Sequence, residues 1–269
     1  MSDYFDRYPT ITFERDGDGI LLVRLHARDD ADKAVVFTPQ HHADWPGAFH
    51  DIAQDRANRV VILTGTGDAF IDDWHFERTS ADPQSWDRIY HEGKHLLRRL
   101  LEIEVPVIAA VNGPATIHAE LAVLSDITLA STTATFQDRA HVPTQTVPGD
   151  GTQIVWEELL GVNRSRYFLL TGQTLSAAEA LSLGVVNEVL EPEKLLARAY
   201  ELARPIAALP VLTARYTRVV LTQRLKRLLD DQVGSGLALE ALASLDVVRL
   251  REEARVSAQA AAATIGTEA

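Results

Sequence analysis

Apolar positions along the chain fall into short unbroken runs, separated by longer segments with helical spacing. In GILLVRLH, residues 19–26, Ile20, Leu22 and Arg24 share one face while Leu21, Val23 and Leu25 share the other. This pattern predicts a strand buried on both sides, with Arg24 as the exception. Thr38 followed by Pro39 predicts a helix N-cap and first helical position, and Trp45, Phe49 and Ile52 continue the apolar stripe to Asp55. RVVILTG over residues 59–65 and PVIAAVNG ending at Gly113 predict two more buried strands. A helix over about 85–102 is expected between them, then a short helix near Glu120 and a strand from Asp126. Alternating strand and helix with short apolar strands predicts a parallel α/β sheet, with functional sites at the carboxyl ends of its strands. From Thr152 the pattern becomes almost continuous helix, interrupted at Gly161, Gly172, Gly184 and near Pro210. The expected organisation is an α/β core over 1–190 and a C-terminal helical region over 191–269, the latter serving for subunit assembly and as a cover for the site. Its Ala-rich end is expected to fray.

Composition narrows the function classes. The 26 Lys and Arg against 38 Asp and Glu give a formal charge of −12, which argues against a nucleic-acid or anionic-membrane partner. The chain has no Cys, which excludes disulfides, thiolate nucleophiles and Cys-ligated metal centres. No apolar run approaches the roughly 18 residues of a membrane-spanning helix. The first residues lack the basic and apolar parts of a signal peptide, so a soluble cytoplasmic protein is expected.

One motif is deceptive. His91-Glu92-Gly93-Lys94-His95 matches H-E-x-x-H, in which two histidines a turn apart bind zinc. At about 100° per residue, however, Trp86, Ile89, Tyr90, Leu96, Leu97, Leu100 and Leu101 form the apolar face. His91 and His95 then point toward water beside Asp87, Arg88 and Arg98. A catalytic zinc needs a walled cleft, so no metal site is expected here.

The stretch from Val107 to Gly161 carries the chemistry. It contains VIAAVNGPATIHAELAVLSDITLAS and TATFQDRAHVPTQTVPGDGTQIVWEELLG, with VVILTGTGDAF before it and SRYFLLTGQTLSAAEALSLGVVNEVL after it. Over residues 10–250 the sequence resembles the crotonase superfamily, the enoyl-CoA hydratase/isomerase fold. The resemblance implies a spiral of ββα units with a C-terminal helical region, assembled as a homotrimer or a dimer of trimers. Members acting on thioesters usually carry Gly-Gly-Gly after the Asn-Gly strand, and one of those N–H groups forms half of the oxyanion hole. Here the segment reads Thr116-Ile117-His118-Ala119 and is one residue shorter. The segment before the other donor reads Phe70-Ile71-Asp72-Asp73-Trp74 in place of the Ala-Gly-x-Asp type. Losing one such donor typically removes about 2.7–4 kcal/mol of transition-state stabilisation.

His118, His141, Asp150 within Pro148-Gly149-Asp150-Gly151, Glu240 and His42 instead resemble the retro-Claisenase branch, the β-diketone hydrolases typified by 6-oxocamphor hydrolase. Position 37 is Phe where that pattern has Trp, which removes an indole N–H donor. The resemblance implies water attack on one carbonyl of a 1,3-diketone and departure of the other as an enolate. His141 is expected as general base and Asp150 as the carboxylate that orients it. His118 stands where a glycine N–H is missing and is expected as an oxyanion donor; His118 or a group linked to Glu240 would return the proton to carbon. Phe37, Trp74 and Phe76 are expected to wall the substrate pocket. A lone His is ordinarily a structural residue, and either His41 or His42 could face the site. No cofactor is required, because the second carbonyl already makes the leaving carbanion an enolate. Two other functions compete: an acyl-CoA hydratase, isomerase or hydrolase with an unusual oxyanion hole, and an inactive crotonase scaffold.

Overall fold

The computed structural model describes residues 3–75 and 82–266; Phe76 lies outside the described residues. The continuous apolar runs become the inner strands of one six-stranded sheet. Its strands are β1 (Ile11–Arg15), β2 (Ile20–Leu25), β4 (Val60–Thr64), β6 (Val107–Val111), β7 (Ile127–Ser131) and β10 (Glu188–Leu190), in the order β1-β2-β4-β6-β7-β10. Only the β1–β2 pair is antiparallel; every other neighbour is parallel. Two small ribbons lie outside this sheet: β3 (Val36–Phe37) with β5 (Asp73–Trp74), and β8 (Thr135–Phe136) with β9 (Leu175–Ser176).

Both sheet faces are covered, as an all-apolar parallel strand requires. One face packs on α1 (Pro39–Gln54), α2 (Pro83–Glu102) and α3 (Glu120–Val123), burying Trp45, Phe49, Leu97 and Leu101 with Leu21, Val23, Val107 and Val111. The other receives α6 (Pro192–Ala207), whose Ala199, Ala203 and Ala207 bring the helix close over Ile20, Ile62 and Ala110. The expected near-continuous helix after Thr152 is therefore corrected. After α4 (Thr152–Thr171) come β9, α5 (Ala177–Ser182) and β10 before α6. At three residues, all only partly buried, β10 is too short an edge strand to carry a period. α6 follows the expected boundary at residue 190 yet belongs to the layered core.

The predicted glycine breaks hold. Gly161 interrupts α4 at φ 73° and ψ 161°, and Gly172 ends it in the left-handed region at φ 61°. The last helix, α7 (Val211–Gly266), runs 56 residues. Arg218 anchors it: the side chain is 1% exposed, and its Nε donates to Asp126 Oδ2 at 2.6 Å. The same guanidinium reaches the carbonyls of Leu101 at 3.2 Å, Leu100 at 3.4 Å and Ile103, at the buried C-terminal end of α2. Asp126 also accepts from the Val107 N–H at 2.7 Å, joining α7 to the start of β6. Arg218→Ala should therefore lower unfolding free energy by about 3–5 kcal/mol, a loss that a urea or guanidinium titration would read directly. Among the described residues, no helix is long and apolar enough to cross a membrane.

Candidate active site

Three imidazoles converge on one cavity, and each is gripped at Nδ1 by a carboxylate. The first comes from α1. Its first turn places His41 and His42 about 100° apart, and they take different roles. His41 is fully buried, accepts the Thr38 N–H at Nδ1 (3.1 Å) and faces the His26 carbonyl with Nε2 at 3.1 Å. Burial pushes its pKa down, so it is a neutral structural residue beside Trp45. His42 turns toward the cavity, with Nδ1 2.7 Å from Glu92 Oε2 on α2.

The second imidazole, His118, sits just before α3 at φ 46°, an unusual backbone state for a residue with a side chain. Its Nδ1 lies 2.6 Å from Oε1 of buried Glu120, in the first turn of that short helix. The third, His141, opens the 3₁₀ turn Val142–Thr144, and its Nδ1 lies 2.7 Å from Asp138 Oδ1.

Asp150 binds the last two together. Its Oδ1 accepts the Thr152 N–H at 3.1 Å and so caps α4, while Oδ2 lies 3.6 Å from His141 Nε2 and 3.7 Å from His118 Nδ1. Glu240 reaches in from α7, its Oε1 3.9 Å from His141 Nε2. α7 can come this close because Gly149 and Gly236 meet backbone to backbone; a Cβ on Gly149 would lie 2.2 Å from the Gly236 carbonyl oxygen.

The charge balance follows from this crowding. Burial disfavours a charged His141, but Asp150, Asp138 and Glu240 outweigh it and push its pKa up to about 10. His118 is also raised: burial opposes the charge, and Glu120 and Asp150 overcome it. Burial works against an ionised Asp150, yet the two imidazoles hold its pKa below the usual carboxylate range. Each shift favours an ionised Asp150 beside protonated imidazoles.

The cavity has a volume of about 620 Å³. Phe37, Trp74, Trp86, Ile89, Ile117 and Leu237 supply its apolar walls, and the Phe37 ring lies 4.6 Å from that of His118. His42, His118, His141, Asp150, Glu240, Phe37 and Trp74 therefore all meet here, while Phe76 falls outside the described residues. The expected orientation of His141 by Asp150 is corrected. Asp138 holds Nδ1, three residues away on the same turn, and Asp150 stands on the Nε2 side. Sequence reasoning did not assign Glu92, Glu120 or Asp138 as partners of these histidines. Glu92 lies inside the H-E-x-x-H motif, on a helix side that packs against α1.

The motif's histidines behave as expected: His91 is exposed, and His95 Nδ1 lies 2.6 Å from the His91 carbonyl oxygen. His91→Ala should leave turnover and melting temperature unchanged, and a large loss of activity would reopen a role for the motif. Ligand atoms of His118, Glu120 and Asp150 lie within 4.8 Å of one another, a spacing that could hold a cation. The short His118–Glu120 hydrogen bond already occupies two of them.

Four N–H groups in the segments that supply oxyanion donors in thioester enzymes are engaged internally. The Trp74 N–H donates to Asp73 Oδ1 at 2.8 Å and the His75 N–H to the Phe37 carbonyl at 2.7 Å. The Thr116 and Ile117 N–H groups both reach the Ile71 carbonyl, at 2.9 and 3.2 Å. These four N–H groups face neighbouring backbone or side chain, and the imidazoles of His42, His118 and His141 line the cavity.

Comparison with known proteins agrees with this architecture. The enoyl-CoA hydratase/isomerase family model matches residues 15–243. A short-chain-enoyl-CoA hydratase from Clostridium acetobutylicum is 31% identical over 193 residues, covering 71% of this chain and 72% of that protein. The solved structure of a β-diketone hydrolase from the cyanobacterium Anabaena, bound to (S)-3-oxocyclohexyl acetic acid, is 48% identical with a TM-score of 0.88. That match covers 92% of this chain and 98% of the other. An enoyl-CoA hydratase/isomerase from Mycobacterium paratuberculosis is 26% identical with a TM-score of 0.77, covering 88% and 94% of the two chains.

Proposed function

The chain belongs to the enoyl-CoA hydratase/isomerase family, the crotonase superfamily, and from that premise we propose that it hydrolyses a carbon–carbon bond in a cyclic or bicyclic β-diketone to give a keto acid. The observation that carries this reading is the Asp150 carboxylate held between His141 and His118, at 3.6 and 3.7 Å. The 48% identity to a β-diketone hydrolase over most of both chains supports the same reaction class.

The chemistry needs one base, two donors and a route for a proton. A water beside His141 Nε2 and Asp150 attacks one carbonyl carbon. Its proton passes to the His141–Asp150 pair, which titrates as a unit. With His141 held charged, the carboxylate takes that proton while the imidazolium donates to the forming oxyanion, so the base role expected of His141 alone passes to the pair. The adduct collapses by breaking the bond from the attacked carbon to the carbon that lies between the two carbonyls, and that electron pair becomes the enolate of the second ketone. His118, charged through Glu120, donates to that enolate oxygen. Proton return to carbon, from His118 or from the group at Glu240, completes a balanced hydrolysis. Protonation in a walled pocket predicts a single stereoisomer of product.

The competing thioester reading lacks support at two points. Glu120 is buried and committed to His118, and the backbone donors at Trp74 and Ile117 are engaged. Turnover of a panel of cyclic 1,3-diketones in the presence of chelator decides between them. Loss of diketone with appearance of keto acid is the expected result. No cleavage, together with tight acyl-CoA binding, would overturn it.

The active form needs Asp150 ionised and His141 protonated. Since His141 is pushed up to about 10, kcat/KM should hold through neutral pH and fall as the pH rises past that value. A rate that instead climbs toward pH 10 would mark neutral His141 as the sole base. We further propose a homotrimer or dimer of trimers. α7 exposes Tyr216, Val220, Leu221, Leu239 and Leu242, an apolar surface that a monomer would leave in water. Sedimentation should give a trimer or hexamer mass; a monomer would refute the assembly.

A further inference from the structure

Asp138 is an expensive residue to bury. It is 6% exposed, Oδ1 lies 2.7 Å from His141 Nδ1, and Oδ2 is buried with no hydrogen-bond partner among the described residues. An unsatisfied buried oxygen weakens a fold, so stability gives no reason for a carboxylate here. The reason lies in what it does to its neighbour.

The surroundings of His141 are uneven. Asp138 approaches from the same turn and meets only Nδ1. From the loop before α4, Asp150 meets Nε2 at 3.6 Å, and from α7 Glu240 meets the same nitrogen at 3.9 Å. His118 faces the group from the segment before α3, on the far side of the Asp150 carboxylate. With two carboxylates on the cavity side and none behind, the ring would be free to turn and offer Nδ1 forward. A carboxylate behind the ring removes that alternative, because turning would set an acceptor nitrogen or a C–H against an anion.

We propose that Asp138 is a positioning residue for the reaction, holding His141 with its Nδ1–H donated backward so that Nε2 alone meets water and substrate. This rests on the proposed function only in taking His141 as the reactive imidazole. Asp138 touches no substrate; it acts through the ring. It also adds a negative charge at hydrogen-bond distance, so its removal lowers the pH at which His141 gives up its proton, in the direction set by Asp150 and Glu240 as well.

The test reads the ring itself. In wild-type protein carrying ¹⁵N-labelled histidine, His141 Nδ1 should remain protonated across the pH range, including above the alkaline titration. In Asp138→Asn that titration should move down by about 1–3 pH units, the usual effect of an adjacent opposite charge, and Asp138→Glu should restore part of the shift. The alkaline limb of diketone cleavage should move with it, with kcat falling more than KM changes. An Nδ1 without a proton in the neutral wild-type ring would overturn the proposal, even if neither variant folds. So would Asp138→Asn losing activity equally at every pH with the His141 titration unmoved, since that is the signature of a merely structural residue. If wild-type protein cleaves no diketone, the functional reading fails, while the ring titration still decides the role of Asp138.

Discussion

His141→Ala should lower kcat/KM toward a cyclic 1,3-diketone by about 10²–10⁴-fold, the range that general acid–base groups contribute. The loss combines two deficits. The imidazolium that donates to the forming oxyanion is gone, and Asp150 loses the nearer of its two cationic neighbours. The side chain is 4% exposed and beside three carboxylates, so the variant leaves a small polar hole where like charges face each other. Melting temperature measured beside turnover separates a catalytic loss from an unfolded protein. A folded variant with near-wild-type turnover would remove His141 from the mechanism.

Asp150→Asn should cost a similar factor, about 10²–10⁴-fold, for the complementary reason. The amide keeps the oxygen that caps α4 through the Thr152 N–H, so the helix start and the fold survive. What disappears is the charge between the imidazoles. Asp150 raises both rings, so in the variant both give up their protons at lower pH. The residual activity should therefore fall off on the alkaline side at lower pH than in wild type. The acceptor of the water's proton disappears as well. A pH profile of kcat together with circular dichroism checks both statements, and a folded variant with an unchanged profile would contradict them.

Much of the fold was legible because its inner strands are buried on both faces and so appear as unbroken apolar runs. β2, β4, β6 and β7 stand where those runs stand, and α1 begins at Pro39 behind Thr38 as its N-cap pattern predicts. The two-residue strands and β10 left no trace, since a period needs more positions than they have. The site was half legible. His42, His118, His141, Asp150 and Glu240 were marked by resemblance, and they meet in one cavity. Their pairing with Glu92, Glu120 and Asp138 was not, because a chain with 38 acidic residues gives no local sign of which one meets which imidazole. α7 even inverts the usual signal. Leu239, Leu242 and Leu245 are exposed there, while Glu240 and Ser244 are buried. A hydropathy pattern alone assigns those faces the other way round.

The unbroken course of α7 has a consequence for how this sequence can change. Leu237, Glu240, Ser244, Val248 and Arg251 all line the cavity and share a stripe set by the helical repeat. The helix is pinned upstream at Arg218 and at the Gly236 contact with Gly149. A single residue inserted between Gly236 and Glu240 would turn everything after it by about 100° and slide it about 1.5 Å along the axis, swinging Glu240 off His141. No loop lies between to absorb the slip. Substitutions on the outer face of α7 can accumulate, but length changes cannot, so this helix should tolerate drift in composition and resist any change in count.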